Sequence, residues 1–370
     1  MSAFDRATAF LTIDVAAVVA NWRLIRDKVG PSCEAAGVVK ADCYGLGAER
    51  IAPALAAAGC RTFFVATIDE GIALRRAVPQ GAITVLGGPL PGAVGDMAEH
   101  GLTPVLNSLE QIGLWAGYAG ACDKRLDAVL HLDTGMSRLG LDQPAVERLA
   151  ADPALLAGIN PVVVMSHMAC ADEPGHAKNP DQLHRFTEMS GRLNLGERRS
   201  LGASSTIFLG TGYHFDLVRP GAALYGLNPT PEQPNPMADV VRLQARILQV
   251  RDVDTPMTVG YGASHRVARK GRVAVAALGY ADGVFRSLGN RGFGVIEGER
   301  VPVVGRISMD LTTFDVSALP PEQARPGALV ELIGPHQSAD ALAADAGTIG
   351  YEVLTALGHR YSRQYVGEAA

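Results

Sequence analysis

The chain has 370 residues, enough for two or three domains at roughly 150 residues each. With 48% hydrophobic and 19% charged residues, it lies far from the polar, highly charged compositions that stay disordered. Lys and Arg number 33 against 38 Asp and Glu, a net charge of −5 with no long run of one sign, which speaks against a nucleic-acid partner. No apolar run approaches the roughly 18 residues of a membrane span. Asp5, Arg6 and Asp14 interrupt the N-terminus where a signal peptide needs its apolar segment. A cytoplasmic chain without membrane contact is expected. Cys33, Cys43, Cys60, Cys122 and Cys170 lack any C-x-x-C spacing, so free thiols, no structural disulfide and no metal site are expected.

In chain order, Asp14 is a helix cap for a segment whose apolar positions Val15, Val18, Val19, Trp22, Ile25 and Val29 follow helical spacing, with Gly30 as the stop. Strand-like runs follow at Glu34 to Lys40, Phe63 to Ala66, Ile83 to Leu86, Pro104 to Asn107 and Leu126 to Leu132. More stand at Pro161 to Ser166, Ser200 to Ser204 and Phe215 to Arg219. Thr67-x-x-Glu70 and Ser108-x-x-Gln111 are capping-box patterns that start helices after two of these runs. Strand then helix, repeated, means parallel pairing, and this repeat fits a (β/α)8 TIM-type barrel better than an open Rossmann-like sheet. Pro229, Pro231, Pro234 and Pro236 mark a boundary that neither helix nor central strand tolerates. Residues 1–235 are therefore read as the barrel and 236–370 as a mainly β domain. In the second part Val241, Leu243, Ala245 and Ile247 alternate, and Val273 to Leu278, Gly294 to Glu297, Val301 to Val304 and Ala328 to Ile333 also read as strands. Asp340 to Ala346 reads as a helix.

Lysine is scarce, and only Lys40 ends an apolar strand. In a barrel, strand C-termini face the active site, and a partly desolvated lysine there is suited to covalent capture of an aldehyde. Strand position alone favours a lysine that merely snorkels from a strand end. Gly45-x-Gly47-x-x-Arg50 fails the third glycine of a dinucleotide fingerprint, which argues against a nicotinamide cofactor. His167, Ser204, Ser205 and Arg219-Pro220-Gly221 stand at the ends of later strands, where barrels commonly bind phosphate. With the lysine they describe a site for a phosphorylated aldehyde such as pyridoxal 5′-phosphate.

Val38-Val39-Lys40-Ala41-Asp42-Cys43-Tyr44-Gly45 resembles the cofactor-lysine motif of bacterial alanine racemases. So do His131 to Gly140, Ser166-His167, Phe215 to Gly221, Gly279 to Gly283, Ser308-Met309-Asp310 and Tyr351-Glu352, in family order. The resemblance implies a pyridoxal-phosphate enzyme that interconverts L- and D-alanine as a homodimer with shared sites. The D-alanine would feed peptidoglycan precursors or arise in alanine catabolism. Lys40 would be one base, and Tyr261 of the partner subunit the other, on the opposite face. Tyr44, Ser204, Gly221, Ala222 and Tyr351 would bind the phosphate. Arg219 would face the ring nitrogen, with His167 linking it toward the tyrosine. Arg138 would meet the substrate carboxylate, and Met309 and Tyr280, both from the partner, would narrow the entrance. The N-terminal strand, around residues 8–13, would join the C-terminal domain.

The chain departs from the family pattern in places. His131 stands where many members carry a carbamylated lysine that orients the arginine seven residues on. Ala203 and Thr206 also differ from common residues around the phosphate serine. A serine or broader-specificity racemase is the alternative within the family. A noncatalytic pyridoxal-phosphate barrel leaves Tyr261 idle, and an amino-acid decarboxylase needs a partner cysteine that nothing after Cys170 supplies.

Overall fold

The computed structural model describes residues 3–195 and 198–367. Strand β1 (Ala9–Asp14) runs directly into the helix Val15–Val29. The Asp14 carboxylate accepts from the Ala17 N–H at 2.9 Å and so satisfies a donor the helix leaves open. The helix buries Val18, Trp22 and Ile25, the positions its apolar spacing marks, and Gly30 ends it at φ 76°.

The first barrel strand comes in two pieces, β2 (Glu34–Ala35) and β3 (Gly37–Val38). β4 (Thr62–Val65), β5 (Ala82–Val85), β6 (Leu102–Leu106), β7 (Leu126–His131), β8 (Ile159–Met165) and β9 (Arg198–Ser200) follow β3 side by side in one 7-stranded sheet. Every pairing in it is parallel, with helices between the strands. β10 (Leu217–Val218) pairs in parallel with β2, and Arg219 bridges to Ala203 just beyond β9, so the sheet curls closed. The split in the first strand follows from this closure. Ala35 pairs with Val218 on one side while Val38 pairs with Phe64 on the other. Phe63, Phe64, Val85, Leu106, Leu130 and Val164 on these strands are all buried, between the barrel interior and the helices outside it.

β1 does not belong to the barrel sheet. It lies between β11 (Val241–Val253), antiparallel, and the last strand, Ser362–Val366, parallel. Around β11 the C-terminal region builds a mainly β body. It comprises the small hairpin β12 (Thr258–Val259) with β13 (His265–Arg266), then β14 (Gly271–Ala276), β15 (Phe293–Ile296) and β16 (Glu299–Pro302). β17 (Thr312–Asp315), β18 (Leu329–Ile333) and β19, the Ser362–Val366 strand, complete it. β17 and β19 carry too few apolar residues to stand out in the sequence. The alternation read along β11 is real: Val241, Leu243, Ala245 and Ile247 are buried and Arg242 is exposed. The proline-rich stretch holds neither helix nor strand, and the Asp340 carboxylate accepts from the Asn228 N–H at 2.8 Å. Among the described residues no helix is long and apolar enough to cross a membrane.

Candidate active site

Lys40 emerges at the C-terminal end of β3 and begins an uncommon turn. Ala41, Asp42, Cys43 and Tyr44 all lie in the left-handed region, with φ between 51° and 57°. None is glycine, so by the usual 1–2 kcal/mol per residue the turn stores roughly 4–8 kcal/mol. Identifiable contacts hold it. The Ala41 N–H donates to Glu70 Oε1 at 2.9 Å, the Ala48 N–H to Asp42 Oδ1 at 2.7 Å and the Cys43 N–H to the Val39 carbonyl at 3.0 Å. Cys43 is fully buried. Tyr44 packs its ring 4.7 Å from that of Tyr225 and 6.0 Å from that of Tyr351.

The turn brings the Tyr44 hydroxyl against Gly221, where any Cβ would collide with it. Beside it Ser204 Oγ accepts from the Gly221 N–H at 3.0 Å and the Ala223 N–H at 3.2 Å. Ser204 lies in the loop four residues past β9 rather than at the strand's end, because pairing with β8 stops at Ser200. The Gly221 amide is thus committed to Ser204, and Ala222 contributes an N–H without a partner among the described residues. Tyr44 Oη, Ser204 Oγ and the Ala222 N–H form a compact cluster of neutral donors.

Across the barrel mouth, the buried Arg219 donates from Nη1 to the Ser200 carbonyl at 3.0 Å and to Ser200 Oγ, and from Nη2 to the Ser166 carbonyl at 2.6 Å. Among the described residues its Nε–H has no partner. Burial pushes the guanidinium down to about 10, which still leaves it charged at neutral pH. Its charge, with that of Arg138, acts on two histidines. Desolvation, then Arg219 and Arg138, depress His131 to about 4, and the same causes with His131 and Lys40 depress His167 to about 3. Both are neutral bases at neutral pH. Lys40 is half-buried, and desolvation first and Arg138 second pull its amine below the usual lysine range, while Glu70 pulls it back up.

Lys40, Tyr44, Arg138, His167, Ser204, Arg219, Gly221 and Ala222 all stand on loops at the C-terminal end of the barrel strands. Tyr351, on the helix Gly350–Thr355, joins them through its contact with Tyr44. Three others stand apart on the C-terminal body. Tyr261, in a turn between β12 and β13, is 71% exposed, Met309 53% and Tyr280 44%. The loops of the last two are tied together, Tyr280 N–H to the Ser308 carbonyl at 3.1 Å and Ala281 N–H to the Met309 carbonyl at 3.0 Å. Arg360 pins both by pairing with Asp282 and Asp310 at 2.7 Å. Sequence reasoning passed over Glu70, Asn107 and Ser200. Glu70 was visible only as a capping-box residue, and the other two carried no signal.

A family model described as the alanine racemase N-terminal domain matches residues 13–229, and one described as the alanine racemase C-terminal domain matches residues 240–365. The chain belongs to the alanine racemase family. It is 52% identical to an alanine racemase of Rhodospirillum rubrum over 98% of this chain and 97% of that one. To a catabolic alanine racemase of Mesorhizobium japonicum it is 48% identical over 98% of this chain and 94% of that one. A crystal structure of alanine racemase from Bartonella henselae with covalently bound pyridoxal phosphate superposes with a TM-score of 0.94. That protein is 41% identical, with 97% of this chain and 100% of the other covered. The alanine racemase architecture, a barrel followed by a mainly β region, is the one described above.

Proposed function

We propose that this chain interconverts L- and D-alanine with pyridoxal 5′-phosphate as cofactor, using Lys40 and Tyr261 of the partner subunit as bases on opposite faces. The observation that carries the reading is the half-buried Lys40 at the C-terminal end of a closed barrel's first strand, four residues before Tyr44, whose hydroxyl lies against the Gly221 and Ser204 loops. The donor set fits the cofactor. Tyr44 Oη, Ser204 Oγ and the Ala222 N–H suit a phosphate, the missing side chain of Gly221 lets Tyr44 Oη approach, and Tyr351 flanks Tyr44. When bound, pyridoxal phosphate supplies an electron-withdrawing ring that acidifies the α-proton of an attached amino acid.

The chain's own groups supply the rest. A lowered pKa raises the neutral fraction of the Lys40 amine, the form that both captures an aldehyde and accepts a proton. Arg219, held by Ser200 and Ser166, keeps its Nε–H and one Nη2–H free of them to offer a ring nitrogen and no proton to give away. By donating and not protonating, Arg219 would leave the cofactor a weaker electron sink, which would favour prompt proton return to the substrate. Arg138 offers its charge to the substrate carboxylate. Neutral His167, which feels the charge of Arg219, would link that arginine toward an incoming phenol. The exposure of Tyr261, Tyr280 and Met309, three large apolar or aromatic side chains on the C-terminal body, supports a homodimer whose partner completes each site. Met309 and Tyr280 of the partner subunit would then narrow the entrance to the size of alanine.

Borohydride reduction of the purified protein followed by peptide mapping tests this reading, together with a chiral assay on L-alanine, L-serine and bulkier amino acids. A pyridoxyl label on Lys40 and racemisation strongest for alanine are expected. A label on another lysine, or no bound cofactor, sinks the assignment of Lys40, and equal turnover of serine sinks the alanine preference.

A further inference from the structure

Glu70 serves two elements with one carboxylate. Its Oε2 accepts from the Ala66 N–H at 2.7 Å and the Thr67 N–H at 3.4 Å, closing the N-terminus of the helix Ile68–Ala77. Its Oε1 accepts from the Ala41 N–H at 2.9 Å. The helix does not need that second oxygen, because Thr67 Oγ1 already accepts the Glu70 N–H at 3.3 Å and completes the capping box. Ala41 is the residue after Lys40 and the first of the four left-handed residues, a strained segment that persists only where its surroundings hold it.

We propose that Glu70 is a positioning residue for Lys40, its carboxylate fixing the left-handed turn on which the lysine stands. The inference rests on the reading of Lys40 as the cofactor lysine. The groups that bear on the amine act in opposite senses. Arg138 opposes its protonation, and His167 and His131 are themselves neutral. The Asp42 carboxylate accepts from the Ala48 N–H, and Glu70 is the carboxylate that favours the charged amine. One side chain therefore sets where the lysine begins and offsets part of what burial and Arg138 do to it. The helix cap is the rigid end of this strut.

The test compares Glu70→Gln with Thr67→Ala in the full-length protein. Lys40 is acylated with trace acetic anhydride over a range of pH after hydroxylamine has removed the cofactor, and the modified peptide is quantified. Glu70→Gln is expected to move the Lys40 profile to lower pH. Where most of the wild-type amine is protonated, Lys40 should then react roughly three- to tenfold faster. Thr67→Ala, which weakens the same cap but leaves the carboxylate, is expected to keep the wild-type profile. Coincident profiles for Glu70→Gln and wild type, or equal displacement in both variants, overturn the proposal and reduce Glu70 to a helix cap. If Glu70→Gln does not fold, Glu70→Asp keeps the charge on an arm too short to span both amides. Hydrogen exchange at the Ala41 amide should then rise about tenfold, and unchanged exchange is the contrary result. Failure of the underlying reading shows separately, as a borohydride label on a lysine other than Lys40.

Discussion

His131 illustrates how one buried side chain is held in a single protonation state. Asn107 donates from Nδ2 to the Leu86 and Val105 carbonyls at 3.1 Å, so its Oδ1 is the acceptor facing His131 Nδ1 at 2.7 Å. The imidazole hydrogen therefore sits on Nδ1 and Nε2 keeps its lone pair. Burial first, and then the charges of Arg219 and Arg138 nearby, disfavour a proton on that nitrogen, which is why His131 falls to about 4. In the unfolded chain the same group titrates near 6.5. Between those values the unfolded state binds the extra proton, so His131's share of stability is complete above about pH 6.5 and is lost as pH falls toward 4. That share amounts to roughly 2 kcal/mol between pH 7 and pH 5. Chemical denaturation at the two pH values is expected to show the loss in the wild type and a shallower dependence in His131→Gln. An unchanged pH dependence in the variant would mean that His131 is protonated in the native state.

At the scale of elements, the left-handed turn reverses an ordinary substitution rule. Ala41→Gly relieves roughly 1–2 kcal/mol of steric cost against about 0.4–1 kcal/mol of added unfolded-state freedom. Urea unfolding is expected to find Ala41→Gly as stable as the wild type or more so by up to about 1.6 kcal/mol. Ala54→Gly, inside the right-handed helix Ala48–Ala57, should lose about 1 kcal/mol; a matching loss in Ala41→Gly would contradict the strain. Nothing in Lys40-Ala-Asp-Cys-Tyr announces this conformation, since none of those residues is a glycine and the run reads only as the loop after a strand. The alternating strands and caps were legible, because Val241 to Ile247 and Thr67-x-x-Glu70 are local patterns with a local physical cause. β19 was not. Ser362, Arg363 and Gln364 supply no alternation, and the strand exists because Phe10 to Asp14, at the other end of the chain, offers it an edge. The barrel-mouth residues Lys40, His167 and Arg219 could be read from strand ends, whereas Ser200 and Asn107 act only through distant carbonyls and rings that the fold brings to them.

The whole molecule presents a divided set of functional groups, with Lys40 in the barrel and Tyr261 on the exposed face of the second body. If a second copy brings its tyrosine to the first copy's lysine, Lys40→Ala and Tyr261→Phe homodimers are each inactive but complement one another. Mixing them under subunit exchange yields one doubly damaged site and one intact site, so activity should reappear, up to about half that of the wild type per heterodimer. Exchange verified with a mass-tagged subunit and no recovered activity would place both bases within one chain. A different consequence attaches to β1. Ile13 pairs with Val241 on one flank and with Tyr365 on the other. During translation the strands from Glu34 to Val218 can leave the ribosome and close on themselves while the segment before them still lacks both neighbours. Such an unclaimed edge invites pairing with other nascent chains. It stays unclaimed until the codons for Ser362 to Val366 have been read, so the first strand made is among the last to be protected.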